Sequence, residues 1–279
     1  MTTQYLLDKS YQIAKKGKRL GSKIKYLPRT SHLLCRYPNI LFEEKKYIFI
    51  ISHIRSRSSL LSHILGSNPA IAGSFESQIS YLKPIDFLHL RILVHLANQG
   101  KKHTDFYLDK ILWNNHNIAP DIYQKENLRF VFLLRNPQET IRSIIHMGNK
   151  LNLKFYQEPE WISRYYTERL NNIRQWSEMI PHERAFFVDS EKIIQHTDQT
   201  LDHLSNWLGL KERLTPHYTI FANTGKPILG DPLENIKNGK IIKKRVSDRD
   251  LEFPKNLFNT INASYKDCRK ALSESFAGV

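Results

Sequence analysis

Three short apolar runs with no polar residue inside them, YIFII at 47–51, FVFLL at 130–134 and AFFV at 185–188, constrain the fold of this chain more than any other feature. A strand with one wet face alternates apolar and polar residues, whereas a strand covered on both faces reads as an unbroken run rich in aromatic and β-branched side chains. Helical periodicity fills the intervals: SSLLSHILG at 58–66, PQETIRSIIHMG at 137–148, WISRYYTERLNNIRQWSEMI at 161–180 and TDQTLDHLSNWLGL at 197–210. Serine opens the first of these segments and proline the second, and glycine closes the first and stands near the end of the last, as helix termini require. Buried strands alternating with helices predict βαβ units with right-handed crossovers. The expected fold class is therefore α/β, three-layered, with a central, mostly parallel sheet flanked by helices. No repeat, low-complexity tract or Pro/Gly linker divides the 279 residues. They read as a single domain: a basic N-terminal extension (1–45), a core (46–241) and a C-terminal helical tail (242–279).

Bulk properties narrow the function classes. No window approaches the roughly 18 apolar residues of a membrane span, and the N-terminus lacks the apolar centre of a secretory signal, so a soluble cytoplasmic protein without a stable membrane anchor is expected. Cys35 and Cys268 are too far apart in sequence to form a metal or redox motif, and no spacing among the 12 histidines suggests a metal site. The net charge of +15 is concentrated in residues 1–29 (+7) and 237–249 (+5). Such ends suit nucleic acid, an anionic membrane or an anionic small ligand, and equally a solvated Lys/Arg surface.

Ligands of open parallel sheets bind outside the carboxyl ends of the strands. Here the first run is followed by SHIRSRSS and the second by RNPQETIRS. A strand, a polar loop and a helix opening at serines present backbone N–H groups and a positive helix end to an anion. Arg55 and Arg57 add planar donors, and Ser56, Ser58 and Ser59 add hydroxyls. A nucleoside-triphosphate loop would carry G-x-x-x-x-G-K-[ST]; this loop has neither its glycines nor its lysine, which argues against a nucleotide-dependent phosphotransferase.

At these residues the chain resembles the sulfotransferases that use 3′-phosphoadenosine 5′-phosphosulfate (PAPS). IRSRSSLL is similar to their R-S-G-[ST]-[ST]-L-L loop, and GSNPAIAGSFES to the stretch after the loop helix, where N/H-P is followed by a glutamate. LDKILWNN followed by FVFLLRNPQETIRS resembles the D-K region, strand, R-x-P and downstream serine. Segment 161–210 resembles the Tyr-rich helix, the strand ending in FFVDSEKI and the LSNWLGL helix, and TGKPILGDPLENIKNGKI the glycine-lysine loop that closes over the nucleotide. The fragments stand in family order over residues 47–241 and imply a P-loop-like sulfotransferase fold.

The resemblance also implies roles. Arg55, Ser56, Arg57, Ser58, Ser59 and Leu60 would hold the 5′-phosphosulfate, and Arg135 and Ser143 the 3′-phosphate, with Arg142 as a substitute donor. Tyr165, or Tyr166 and Trp161, would pack near the adenine, although aromatics on a long helix also serve as core. Gly225 and Lys226 would belong to a mobile lid. Glu76 is the candidate base; His53 is its rival, or else a core histidine bonded to backbone. Lys110 and Arg55 would offset charge on the transferring group, unless Lys110 is merely solvated.

The implied reaction is transfer of the sulfuryl group from PAPS, leaving 3′,5′-adenosine bisphosphate (PAP), to a hydroxyl or amine of a small-molecule acceptor. No metal and no nucleic acid take part. Cyanobacterial natural-product tailoring enzymes, including those of saxitoxin-type alkaloid pathways, are possible relatives, so a natural product is one acceptor class. Asp86, Asp105 and Asp109 would favour a cationic acceptor. The alternatives are a kinase-like phosphotransferase and a non-enzymatic basic module; oligomeric state stays open. One departure stands out. Where the family has glycine this chain has Arg57, which implies either an ordinary right-handed backbone there or a strained one, with a side chain directed to sulfate, to an anionic acceptor or to solvent.

Overall fold

The structure is a computed structural model that describes residues 45–97, 99–101, 104–222, 224–225, 234–242 and 252–279, together with Cys35 and Ile40. Lys226, the basic segment 1–29 and residues 243–249 of the second basic segment lie outside the described residues. Residues 44–279 form one compact unit.

The three apolar runs become strands β1 (Lys46–Ser52), β4 (Leu128–Leu134) and β5 (Ala185–Asp189). Three more were not legible as apolar runs. β2 (Ile71–Ala72) and β6 (Ala277–Gly278) are two residues long, and β3 (Phe106–Ile111) contains Asp109 and Lys110, both buried. All pairings are parallel, and the strand order is β2-β3-β1-β4-β5-β6. The expected fold class is the one observed.

The α-helices whose bounds fall within 45–279 of the described residues are α1 (Ser58–Ser67), α2 (Pro84–Leu96), α3 (Pro120–Tyr123), α4 (Pro137–Leu151), α5 (Pro159–Met179), α6 (Ser190–Gln195), α7 (Thr197–Leu208) and α8 (Lys255–Ser275). Among the described residues no helix is long and apolar enough to cross a membrane. α2 escaped the sequence pattern because Arg91 shares its buried stripe with Phe87, Leu90 and Val94 while Ile85 is exposed.

Alternation along β1 divides the core. Tyr47, Phe49 and Ile51 face the layer of α2, α4, α5 and α8, whereas Ile48 and Ile50 face the layer of α1 and α7. The helices that follow β1 and β4 therefore lie on opposite faces of adjacent strands. Between their carboxyl ends opens the crevice at which open α/β sheets bind ligands. Register keeps those ends level, with Ser52 beside Leu133 and Ile51 beside Ile111.

Candidate functional site: an anion cradle at the β1–β4 crevice

The loop leaving β1 is fixed from below by α5. Ile54 N donates to the Tyr165 hydroxyl (2.8 Å), which in turn donates to Leu112 O (2.9 Å). Tyr165 is buried and its hydroxyl is spent on these two backbone groups; Trp161 stacks on its ring with centroids 5.4 Å apart. Tyr166, also buried, donates to Arg135 O (2.8 Å). These aromatics act as struts beneath the loop ends.

His53 is fully buried. Its Nδ1 lies 2.8 Å from Ile54 O, and its Nε2 accepts from Arg135 N (3.2 Å), which fixes the neutral tautomer with the proton on Nδ1. Burial pushes its pKa down to about 3; the bond to Ile54 opposes this and the nearby Arg135 and Arg169 charges add to it. Nε2 thus joins the end of β1 to the end of β4, while Nδ1 is held by the neighbouring carbonyl.

Beyond His53 the backbone turns left-handed twice, at Arg55 (φ 59°) and Arg57 (φ 69°). Arg57 is the N-cap residue of α1 and supplies no side-chain cap; its carbonyl accepts from Leu61 N (3.1 Å). The N–H groups of Ser58, Ser59 and Leu60 therefore belong to the first turn, which has no carbonyl partners within the helix. Between the two arginines the Ser56 hydroxyl is buried and finds no hydrogen-bond partner among the described residues. A buried hydroxyl without a partner beside an open helix N-terminus is what an oxyanion would complete.

The second loop supplies the arginines' partners. Asn136 caps α4 by accepting from Gln138 N (2.9 Å), and Pro137 occupies its first turn, so Arg135, Glu139 and Ser143 fall at four-residue intervals along the helix start. Arg55 Nε donates to Ser143 Oγ (3.0 Å), and Arg135 Nη1 to Arg55 O (2.9 Å). Glu139 Oε2 accepts from Arg135 Nε (3.1 Å) and Nη2 (2.9 Å) and from Arg57 Nη2 (2.6 Å). Arg57 Nη1 reaches Ser190 Oγ (3.0 Å) and Glu191 Oε1 (3.2 Å) at the start of α6. Burial lowers the Arg135 pKa to about 10, aided by Arg57 and opposed by Glu139. Burial pushes Glu139 up, but the two arginines outweigh it and hold the carboxyl below its usual value.

Glu76 arrives through two close approaches. A Cβ on Gly66 would overlap the Gly73 carbonyl oxygen, and one on Gly73 (φ 104°) would lie 2.6 Å from Leu108 O, so α1, the 73–76 segment and β3 pack backbone to backbone. The Glu76 side chain is half-buried, and its charge acts on both Tyr165 and Arg169. Asp109 holds the following segment by accepting from Ser77 N (2.8 Å), Ser77 Oγ, Tyr81 Oη (2.6 Å) and Lys110 N (2.8 Å). It is buried at the end of these bonds, and Asp86 accepts from Leu82 N and Lys83 N at the start of α2. Lys110 Nζ donates to Ser59 Oγ (3.2 Å), which brings β3 to the cradle.

Sequence reasoning missed Arg169, Glu139, Ser190 and Glu191 as members of this region. Arg169 is fully buried and donates to Ser52 O (2.8 Å), Ile111 O (2.6 Å) and Asn114 Oδ1 (3.5 Å), tying off β1 and β3. Its helical neighbours gave no sign of this. The Arg135–Glu139 spacing was a signal for an ion pair; nothing in the sequence linked either residue to Glu191.

The late segment docks on α1 through His63 Nε2, 2.8 Å from Thr224 Oγ1, and through Thr219 N, which donates to Ser67 Oγ (2.7 Å). Gly225 adopts φ 81°, a backbone that any side chain would strain, and the flexible end of Lys237 lies beside it. Among the described residues no His/Cys/Asp/Glu cluster could hold a metal.

No family model and no curated protein matches the chain. Among solved structures it is similar to the sulfotransferase domain from the curacin biosynthetic pathway, with TM-score 0.57 and 16% identity over 83% of this chain and 98% of that one. It is also similar to the sulfotransferase domain of the Synechococcus PCC 7002 olefin synthase (TM-score 0.48, 14% identity, 80% of this chain and 96% of that one). A third similar structure is a mouse sulfotransferase complexed with PAP (TM-score 0.49, 13% identity, 83% and 87%). The curacin-pathway domain and this chain share the P-loop-like sulfotransferase fold.

Proposed function

We propose that the chain is a PAPS-dependent sulfotransferase that moves the sulfuryl group to a hydroxyl or amine of a small-molecule acceptor. The observation that carries this is the meeting of Arg55, partnerless Ser56, Arg135 and Ser143 at the β1–β4 crevice, with Arg55 Nε bonded to Ser143 Oγ across it. Two loops distant in sequence thereby form one anion site, large enough in donors for the two phosphate ends of PAPS. The curacin-pathway neighbour supports a natural product as acceptor.

In this mechanism Ser56, Ser58, Ser59 and the α1 N–H groups hold the 5′-phosphosulfate, and Arg135 and Ser143 hold the 3′-phosphate. The acceptor oxygen or nitrogen forms a bond to sulfur as the sulfur–oxygen bond to the 5′-phosphate breaks, and PAP departs. Arg55 and Lys110 offset the negative charge that builds on the bridging oxygen. Glu76 accepts the acceptor's proton; His53 does not, because its only acceptor nitrogen already receives Arg135 N. Most of the rate enhancement comes from alignment and fixed charge.

The test is thermal-shift titration with PAP and with ATP–Mg²⁺. PAP should stabilise the protein and ATP–Mg²⁺ should not, and Arg135→Ala should abolish the PAP shift. Glu76→Gln should keep it while losing about 100-fold or more in turnover. Stabilisation by ATP–Mg²⁺ alone would instead indicate a phosphotransferase.

A further inference from the structure

Arg57 takes none of the three directions open to it in the sequence. Its guanidinium, 20% exposed, turns across the crevice to Glu139 and Glu191. The left-handed backbone at Arg57 is one a non-glycine residue rarely adopts. The decisive geometry is at Glu139 Oε2, where a single oxygen accepts from two arginines. Arg135 offers it the Nε–Nη2 edge, the edge suited to bidentate phosphate binding, while Arg57 offers Nη2 at 2.6 Å.

A phosphate that takes the Nε–Nη2 edge of Arg135 must displace Glu139. That carboxylate is only 14% exposed. Stripped of both arginines it would be a nearly buried charge without a partner, which is costly. Arg57, held in place independently by Ser190 and Glu191, prevents this: Glu139 can release Arg135 and stay paired.

We propose that Arg57 is a positioning residue for the nucleotide, the counter-ion to which Glu139 is handed when the 3′-phosphate takes Arg135. This rests on the sulfotransferase reading above and explains why the chain carries arginine at a position the motif gives to glycine. Arg57 acts through Glu139 and does not touch the ligand.

The test is a double-mutant cycle on PAP affinity, measured by calorimetry at fixed ionic strength, with Arg57→Gly, Glu139→Gln and the double variant. Glycine accepts the positive φ, so the backbone conformation survives. Arg57→Gly should weaken PAP binding about 10-fold; Glu139→Gln should tighten it about 3-fold in the parent and about 30-fold in the Arg57→Gly background, where the double variant then binds as Glu139→Gln does. Equal tightening in both backgrounds overturns the handover. Smaller tightening in the Arg57→Gly background also overturns it, because that sign means Glu139 was withholding Arg57 itself from the ligand. If PAP binds none of the four proteins while all remain folded by thermal denaturation, the sulfotransferase reading falls and this inference with it. Should Arg57→Gly fail to fold, Arg57→Asn, which tolerates the left-handed region, carries the same expectations.

Discussion

Protonating His53 should unlatch the cradle, and the energetics can be worked from its surroundings. The ring is fully buried and its Nε2 accepts from Arg135 N, so adding a proton would set two donors against each other beside Arg135 and Arg169. The folded-state pKa is about 3, below the ordinary histidine value of 6.5. Between these values the unfolded chain binds a proton at His53 and the folded chain does not. The stabilisation is thus fully present above pH 6.5 and is lost as pH falls toward 3, at about 1.4 kcal/mol per pH unit. At pH 5 the loss is about 2 kcal/mol, a large part of ordinary domain stability. Urea denaturation at pH 7.5 and pH 5 should show this loss in the parent. His53→Gln, which keeps an amide donor and acceptor but cannot titrate, should be less stable at pH 7.5 yet lose about 2 kcal/mol less on going to pH 5. Identical acid sensitivity in the two proteins, or a His53 ring resonance titrating near pH 6.5 by NMR, would refute the argument and return His53 to contention as the base.

Two further outcomes follow from the scaffold. Tyr165→Phe removes the hydroxyl that serves both Ile54 N and Leu112 O, leaving two buried backbone groups without it; we expect a loss of about 1–3 kcal/mol in urea denaturation and weaker PAP binding, since the loop beneath Arg55 loosens. Gly66→Ala drives a methyl into the Gly73 carbonyl, which as backbone cannot swing aside; destabilisation of about 1–3 kcal/mol and reduced turnover from a displaced Glu76 segment are expected, and a neutral effect in both assays would show that α1 and the 73–76 segment do not pack this closely.

How far the sequence reached is clearest at particular residues. The runs at 47–51, 130–134 and 185–188 each became a central strand because an uninterrupted apolar pattern has few other uses at that length. β3 was hidden by Asp109 and Lys110, whose burial Ser77, Tyr81 and Ser59 help to offset by bonding them from elsewhere in the chain. Tyr165 illustrates the converse. Its position on a Tyr-rich helix suggested adenine; what the helix did not show is that the hydroxyl bonds Ile54 N and Leu112 O, two backbone groups of other elements.

By itself, then, the sequence determined the layered α/β architecture, the two polar loops at strand ends and the donor types they carry, because periodicity and composition are local properties of the chain. The partners of those donors were settled only by tertiary structure. That Glu139 would stand between Arg57 and Arg135, that Arg169 would tie off β1 and β3, and that Arg57 would turn toward α6 depend on strands packing in the order β3-β1-β4-β5. Charge pairing acts over a few ångströms in space, and no spacing along the chain records which residues the sheet brings that close.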